Sequence, residues 1–201
     1  MALVEIAPPA FDVEIHMIYA TAENFTGAPV YGRAGCYLHG DAAAILGRSI
    51  AQADALGLRL KIYDAFRPAE AQWLLWGHTP DPDFLADPRR GSPHSRGVAV
   101  DVTLIDGSGR ELDMGSPVDG AGPLARHGCT KISPACMRNR LILLGLMASA
   151  GWDHYLNEWW HYQLFQPRRY VLLGDSAAGT AMMTPESIVQ AAATRDTGSH
   201  G

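Results

Sequence analysis

Apolar and polar residues alternate over positions 13–19 and again over 58–63, the two-residue period of a strand with one buried face. In the second run Leu58, Leu60 and Ile62 fall on that face. Between the two runs Asp41 is a favourable N-cap for a helix over about 41–55, closed by Gly57. Pro68 suits the first turn of a helix over 69–76. Residues 98–104 are rich in β-branched side chains and read as a strand, with Asp106-Gly107-Ser108-Gly109 as the turn of a hairpin. Ser133-Pro134 opens a helix that runs to about Ala150 and stops at Gly151, its repeated Leu and Met positions facing a core. Two short strands are expected within 152–155 and 160–165, separated by a turn at Leu156-Asn157.

The remaining stretches are loops. Residues 24–29 are turn-rich, 77–91 are dense in Pro and Asp, and 112–130 are irregular and Gly-rich, as long functional loops often are. After Gly174 the composition shifts to Ala, Gly, Ser and Thr. There Thr184-Pro185-Glu186 could cap a short helix, and the last residues read as frayed. The expected architecture is α+β: one domain over 1–174, with helices packed on a small, mainly antiparallel sheet, then a tail over 175–201.

Composition narrows the function classes. The chain has 201 residues, 47% hydrophobic, enough for one well-cored domain. A net charge of -5 with no clustered basic face argues against nucleic acid. No apolar run approaches the ~20 residues of a membrane span. Residues 1–10 lack the basic and apolar regions of a signal peptide, so a soluble cytoplasmic protein is expected. Oligomeric state is not legible. Cys36, Cys129 and Cys136 are odd in number and read as thiols. A Cys129–Cys136 pair would need an oxidising compartment, and the two are too far apart for a CxxC zinc knuckle.

Two segments carry candidate chemistry: Ser92-Pro93-His94-Ser95-Arg96-Gly97-Val98-Ala99-Val100-Asp101 and Glu158-Trp159-Trp160-His161. Together they offer two imidazoles and a carboxylate, His94, His161 and Asp101. A catalytic zinc takes three protein ligands and leaves its fourth position to water. Glu158 is the spare carboxylate that could take a proton from that water. Asp101 interrupts an apolar strand and so needs a partner. Spacing alone leaves open whether that partner is a cation or an arginine and backbone donors. Glu158 and His161, three apart, would point to opposite faces of a regular strand, so a shared site requires a turn or bulge, which Asn157 permits. Trp159 and Trp160 would form an apolar wall that dries the site. Arg67, between a strand and a Pro-initiated helix, could stabilise an oxyanion; an ion pair with Asp64 or another carboxylate is the simpler reading of that residue alone. His16, His39, His78, His127, His154 and His200 fall in no pattern.

In order along the chain, these segments resemble the D-alanyl-D-alanine dipeptidases of the VanX type, within the zinc D,D-peptidases. The matching blocks are Tyr19-Ala20-Thr21 with Asn24-Phe25-Thr26-Gly27, Asp64-Ala65-Phe66-Arg67-Pro68, the His94 and Asp101 block, Asp113-Met114-Gly115 with Asp119, and Glu158-Trp159-Trp160-His161-Tyr162. The resemblance implies zinc on His94, Asp101 and His161, Glu158 as catalytic base and Arg67 as stabiliser of the tetrahedral intermediate. It further implies a small closed pocket for a dipeptide, with Asp119 on the substrate ammonium and Ser92 near the substrate's terminal groups. Pro93 departs from the small polar residue common there, and the segment after Gly174 has no counterpart. Three other readings remain: a carboxypeptidase trimming longer cell-wall peptides, an iron(II) oxygenase with two histidines and one carboxylate, and a non-catalytic zinc-stabilised binding module. The six residues between His94 and Asp101 weigh against the oxygenase, and the joint presence of Glu158 and Arg67 weighs against the binding module.

Overall fold

The computed structural model describes residues 3–198; His200 and the frayed end expected of the tail lie outside the described residues. The chain runs through strands β1 (Val4–Glu5), β2 (Val13–Ile15) and β3 (Tyr37–Leu38), helix α1 (Gly40–Asp54), strand β4 (Arg59–Asp64), helix α2 (Ala69–His78) and strand β5 (Ala99–Ile105). Helix α3 (Pro134–Ala150), strands β6 (Asp153–His154) and β7 (His161–Gln163), and helices α4 (Asp175–Ala178) and α5 (Pro185–Gly198) complete it. The architecture is α+β, with helices packed on a small, mainly antiparallel sheet.

The main sheet has the order β2-β4-β5-β7-β6. β2 lies parallel to β4, and every other pairing in it is antiparallel. β1 and β3 form a separate antiparallel ribbon. β5 is the central strand and is buried along its whole length, so it reads as a near-continuous apolar run rather than an alternating one. α1 and α3 pack against each other and against the sheet, while α5 packs along α2. Leu60, Ile62, Val100, Val102 and Leu104 form the sheet side of the core.

Register does the work that matters for the site. Asp101 of β5 pairs with His161 of β7, and Asp64 of β4 pairs with Asp101 after a register shift between Ile62 and Asp64. Residues directly opposite one another in an antiparallel pair share a face, their Cβ atoms ~5 Å apart. Asp64, Asp101 and His161 therefore form one polar row across three adjacent strands.

Helix ends largely follow local rules. The Ser133 side chain accepts from the Cys136 amide at the start of α3, and Gly151 stops that helix at φ 115°. Other expectations shift. The strand expected over 13–19 ends at Ile15, because residues 18–20 coil into a 3₁₀ turn and the Tyr19 carbonyl accepts from the Val30 and Tyr31 amides instead. His39, not Asp41, caps α1: its ring nitrogen accepts from the Asp41 amide, while Asp41 in the first turn accepts from the Tyr170 hydroxyl. α2 runs two residues further than expected, to His78.

Residues 175–198 are more ordered than their composition suggests. The buried Asp175 carboxylate accepts from the Thr180 hydroxyl and from the Met182 and Met183 amides. Thr184 caps α5 by accepting from the Ser187 amide, and the short helix expected there spans 14 residues. No helix among the described residues is long and apolar enough to cross a membrane. Cys36, Cys129 and Cys136 are free thiols.

Candidate metal and substrate site

His94 opens a 3₁₀ turn, His94–Arg96, that precedes β5. The Ser92 hydroxyl accepts from the His94 amide at 3.2 Å and holds the start of that turn. Gly97 closes it at φ 66°, with the place of its absent Cβ 2.8 Å from a Leu3 methyl and 3.1 Å from the His39 amide nitrogen, so only glycine fits. The turn delivers the His94 ring to the polar row already formed by Asp101 and His161.

Three donor atoms converge there. His94 Nε2 lies 3.1 Å from His161 Nδ1 and 3.4 Å from Asp101 Oδ1, and His161 Nδ1 lies 3.2 Å from Asp101 Oδ1. Ligands on a tetrahedral zinc, bonded at ~2.0–2.1 Å, stand ~3.3 Å apart. The outer ring nitrogens are already committed. His94 Nδ1 is 2.7 Å from the Ala65 carbonyl, which can only accept, so that nitrogen carries a proton and donates. His161 Nε2 lies 3.0 Å from Gln163 Oε1 and donates to it. In the neutral rings both lone pairs then face inward, at each other and at a carboxylate. Such an array repels itself unless a proton or a cation sits in its middle, and oriented outer N–H groups of this kind are what metal-bound histidines use.

The electrostatics agree. Burial works to lower the His161 pKa, but the hydrogen bond and charge of Asp101 outweigh it and raise that pKa above its ordinary value. Burial pushes the Asp101 carboxyl the other way, yet His94 and His161 hold it far below the usual carboxylate range. The donor set fits a metal ion.

Glu158 reaches the same centre through a turn. Its amide donates to the Tyr155 carbonyl, and its own carbonyl accepts from His161 N. That chain reversal before β7 puts Glu158 Oε2 3.9 Å from His161 Nδ1, on the same side as the donors. Burial first of all raises the Glu158 carboxyl to about 8, with His161 opposing.

Arg67 follows β4 directly. Its Nε and Nη2 both lie 2.8 Å from Asp64 Oδ2, and its Nη1 donates to Gln72 Oε1 at 3.1 Å. The ion pair with Asp64 is therefore present, and it anchors the guanidinium rather than consuming it. Nη2 is also 3.7 Å from Asp101 Oδ2, and the guanidinium lies over the Tyr19 ring at 4.6 Å. Asp101 is thus partnered on one side by an arginine and on the other by the two histidines.

Asp119 stands across the cavity in the left-handed region, φ 63°. Its carboxylate accepts from the Tyr19 hydroxyl at 2.8 Å and from the Phe25 amide at 3.2 Å. Burial raises it to about 6, against those two hydrogen bonds. A non-glycine residue in that conformation stores strain of the kind that collects at functional sites.

Arg67, Ser92, His94, Asp101, Asp119, Glu158 and His161 all line one cavity of about 220 Å³. Tyr19, Phe84, Tyr155, Trp160 and Gln163 complete much of its wall. Of the two tryptophans expected as an apolar wall, only Trp160 borders this cavity; Trp159 turns away, donating its indole N–H to Ser116 Oγ and packing on Arg140. Both are central residues of the turn between the Glu158 carbonyl and the His161 amide, and their rings stand at 89° to each other. Pro82, Phe84, Leu85 and Ala86, from a loop that has no periodic signal, form the roof.

The sequence profile of the D-ala-D-ala dipeptidase family of peptidases matches residues 1–171. The chain belongs to this family. A D-alanyl-D-alanine dipeptidase of Escherichia coli K12 is 44% identical over 173 residues, covering 86% of this chain and 90% of that protein. Dipeptidases of the same name from Streptomyces coelicolor and Enterococcus faecalis are 36% and 34% identical, each across 73% of this chain and 83% of its own length. Residues 172–198, with α4 and α5, lie beyond the profile match.

Sequence reasoning passed over three residues that touch the site. Tyr19 stands in a matching block but had no role; here it holds Asp119 and stacks on Arg67. Gln163 follows His161 by two along a strand, a spacing that puts both side chains on one face and could have been read. Gln72, on α2, had no local signal.

Proposed function

We propose that this protein hydrolyses the dipeptide D-alanyl-D-alanine to two molecules of D-alanine, using a zinc ion held by His94, Asp101 and His161. The observation that carries this reading is the set of three donor atoms 3.1–3.4 Å apart whose histidines have both outer N–H groups already engaged. A zinc ion in such a site lowers the pKa of water from ~15.7 to ~7 and polarises a carbonyl. Two imidazoles and one carboxylate, with a spare acid beside the open position, suit zinc hydrolysis better than oxygen chemistry.

Glu158 takes a proton from the attacking water and returns it to the leaving amine. Its burial beside His161 gives it a basicity near neutrality, where a general base works best. Arg67, fixed by Asp64 and Gln72, offers its remaining N–H donors to the oxyanion. Asp119 binds the substrate ammonium through a charge-assisted bond, and its burial makes that pairing strong in a dry site. Ser92, at the cavity wall, faces the substrate's terminal groups. The volume of about 220 Å³ falls below the ~300 Å³ at which pockets for drug-sized ligands begin, which favours a dipeptide over a longer chain.

Release of D-alanine from D-alanyl-D-alanine, followed with and without chelator, tests the reading. Activity should vanish on chelation and return with zinc, and an amino-blocked pentapeptide should remain intact. Turnover unaffected by complete metal removal, or preference for the blocked peptide, would overturn it.

A further inference from the structure

Gln72 lies in the first turns of α2 and is 1% exposed, yet the chemistry above gives it no direct part. Both ends of its amide are used. Nε2 donates to the Ala86 carbonyl at 2.7 Å, and Oε1 accepts from Arg67 Nη1 at 3.1 Å. Because a carbonyl can only accept, Ala86 dictates which end of the amide faces it, and the acceptor end must then face Arg67. Ala86 belongs to the stretch that, with Pro82, Phe84 and Leu85, roofs the cavity.

Arg67 needs such a contact. Nε and Nη2 converge on a single oxygen, Asp64 Oδ2. A guanidinium held at one point can pivot about it; a third bond on the opposite edge stops the rotation. Gln72 supplies that bond, and the Tyr19 ring limits tilting.

We propose that Gln72 is a positioning residue, one amide that locks the orientation of Arg67 and fastens the cavity roof to it. This rests on the reading of Arg67 as the oxyanion group. Removing the amide should cost transition-state stabilisation far more than substrate binding, since a misplacement of about 1 Å can cost up to ~10²-fold in rate.

The experiment is a double-mutant cycle on the zinc-loaded full chain with Gln72→Met and Arg67→Lys. The readouts are kcat and KM for D-alanyl-D-alanine, the inhibition constant of a phosphinate analogue that is tetrahedral at the scissile position, zinc content and melting temperature. Gln72→Met should lower kcat about 10–100-fold and weaken the phosphinate in parallel, with KM changed less than about threefold and zinc retained. Adding Gln72→Met to Arg67→Lys should cost little more, because the amide then has no guanidinium to orient. Gln72→Glu, which keeps an acceptor for Arg67 but gives up the same donor to Ala86 that Gln72→Met loses, should hold kcat within about threefold and change KM no more than Gln72→Met does. This variant also decides the matter should Gln72→Met fail to fold. Losses that multiply in the double variant, or an equal fall of kcat in Gln72→Glu and Gln72→Met, would overturn the role of Gln72. A wild-type protein that releases no D-alanine would instead overturn the functional reading beneath it.

Discussion

Asp101 and His161 sit on paired strands and His94 one short turn from them, whereas Asp119 and the roof over 82–86 sit on loops. The first group is positioned by backbone register: a pair of strands cannot slip by one residue without turning every side chain to the other face. The second group is positioned by side-chain bonds, Tyr19 to Asp119 and Gln72 to Ala86. One protein thus fixes its three-donor row by topology and the loop side of its cavity by a few polar contacts. Changes in the first should act all-or-none on metal, and changes in the second should grade affinity and rate.

The largest effect should come from the donor row. His161→Ala removes one ligand and leaves Asp101 facing a gap, so zinc content should fall from about one per chain to near zero by elemental analysis, with activity lost. Unchanged metal content would place the cation elsewhere and end the comparison. Metal binding should also release protons, since His161 and Glu158 hold theirs above their ordinary values in the metal-free protein. Apparent zinc affinity should therefore rise with pH up to about 8, which titration calorimetry in buffers of different ionisation enthalpy reads directly.

Glu158→Gln comes next. It touches the centre but supplies no ligand, so zinc should stay while kcat falls about 10²–10⁴-fold. Hydrolysis retained with zinc bound would remove Glu158 from proton transfer.

Asp119→Asn tests the loop side. KM should rise about 10–100-fold with a smaller change in kcat, as expected when a charge-assisted contact to the ammonium is lost. The carboxyl is raised to about 6 and must be ionised to pair with the ammonium. In the wild type KM should therefore climb as pH falls through about 6, and this limb should be absent from the Asn variant. The same shift has a stability consequence. The native state holds this proton more tightly than the unfolded chain, so the contribution of Asp119 to stability falls as pH rises from about 4 to about 6. An unaltered pH limb in the variant would assign it to another group.

The smallest effect should be seen at a cap that does not line the cavity. Ser133→Ala removes the N-cap of α3 and should cost about 1 kcal/mol, a fall in melting temperature of a few degrees, with kcat and KM unchanged. A kinetic effect there would mean that the sheet and its covering helices do not insulate the site.

Much of the fold was legible because its signals are local. Ser133, Gly151 and Pro68 mark helix ends through backbone chemistry that neighbours cannot easily override. The central strand stood out by its β-branched run, and an acid inside that run asked for a partner. Other features carried no local signal. α5 has little amphipathic pattern and was expected to be short, yet it extends by packing on α2. The 3₁₀ turn after β2 forms because the Tyr19 carbonyl is claimed by residues 30 and 31, which no neighbour in sequence could announce.

By itself the sequence determined the chemical inventory: two imidazoles, one strand-borne carboxylate, a spare glutamate, an arginine and a distant aspartate, in an order shared with a dipeptidase family. Tertiary structure decided the rest. Register set Asp101 opposite His161, the Glu158 turn brought a second acid to the same side, and long-range bonds from Gln72, Tyr19 and Gln163 fixed how the functional groups point. The division has a physical origin. Residue identity sets what a side chain can donate, accept or ionise, but its direction and its pKa follow from pairing and burial among segments many residues apart.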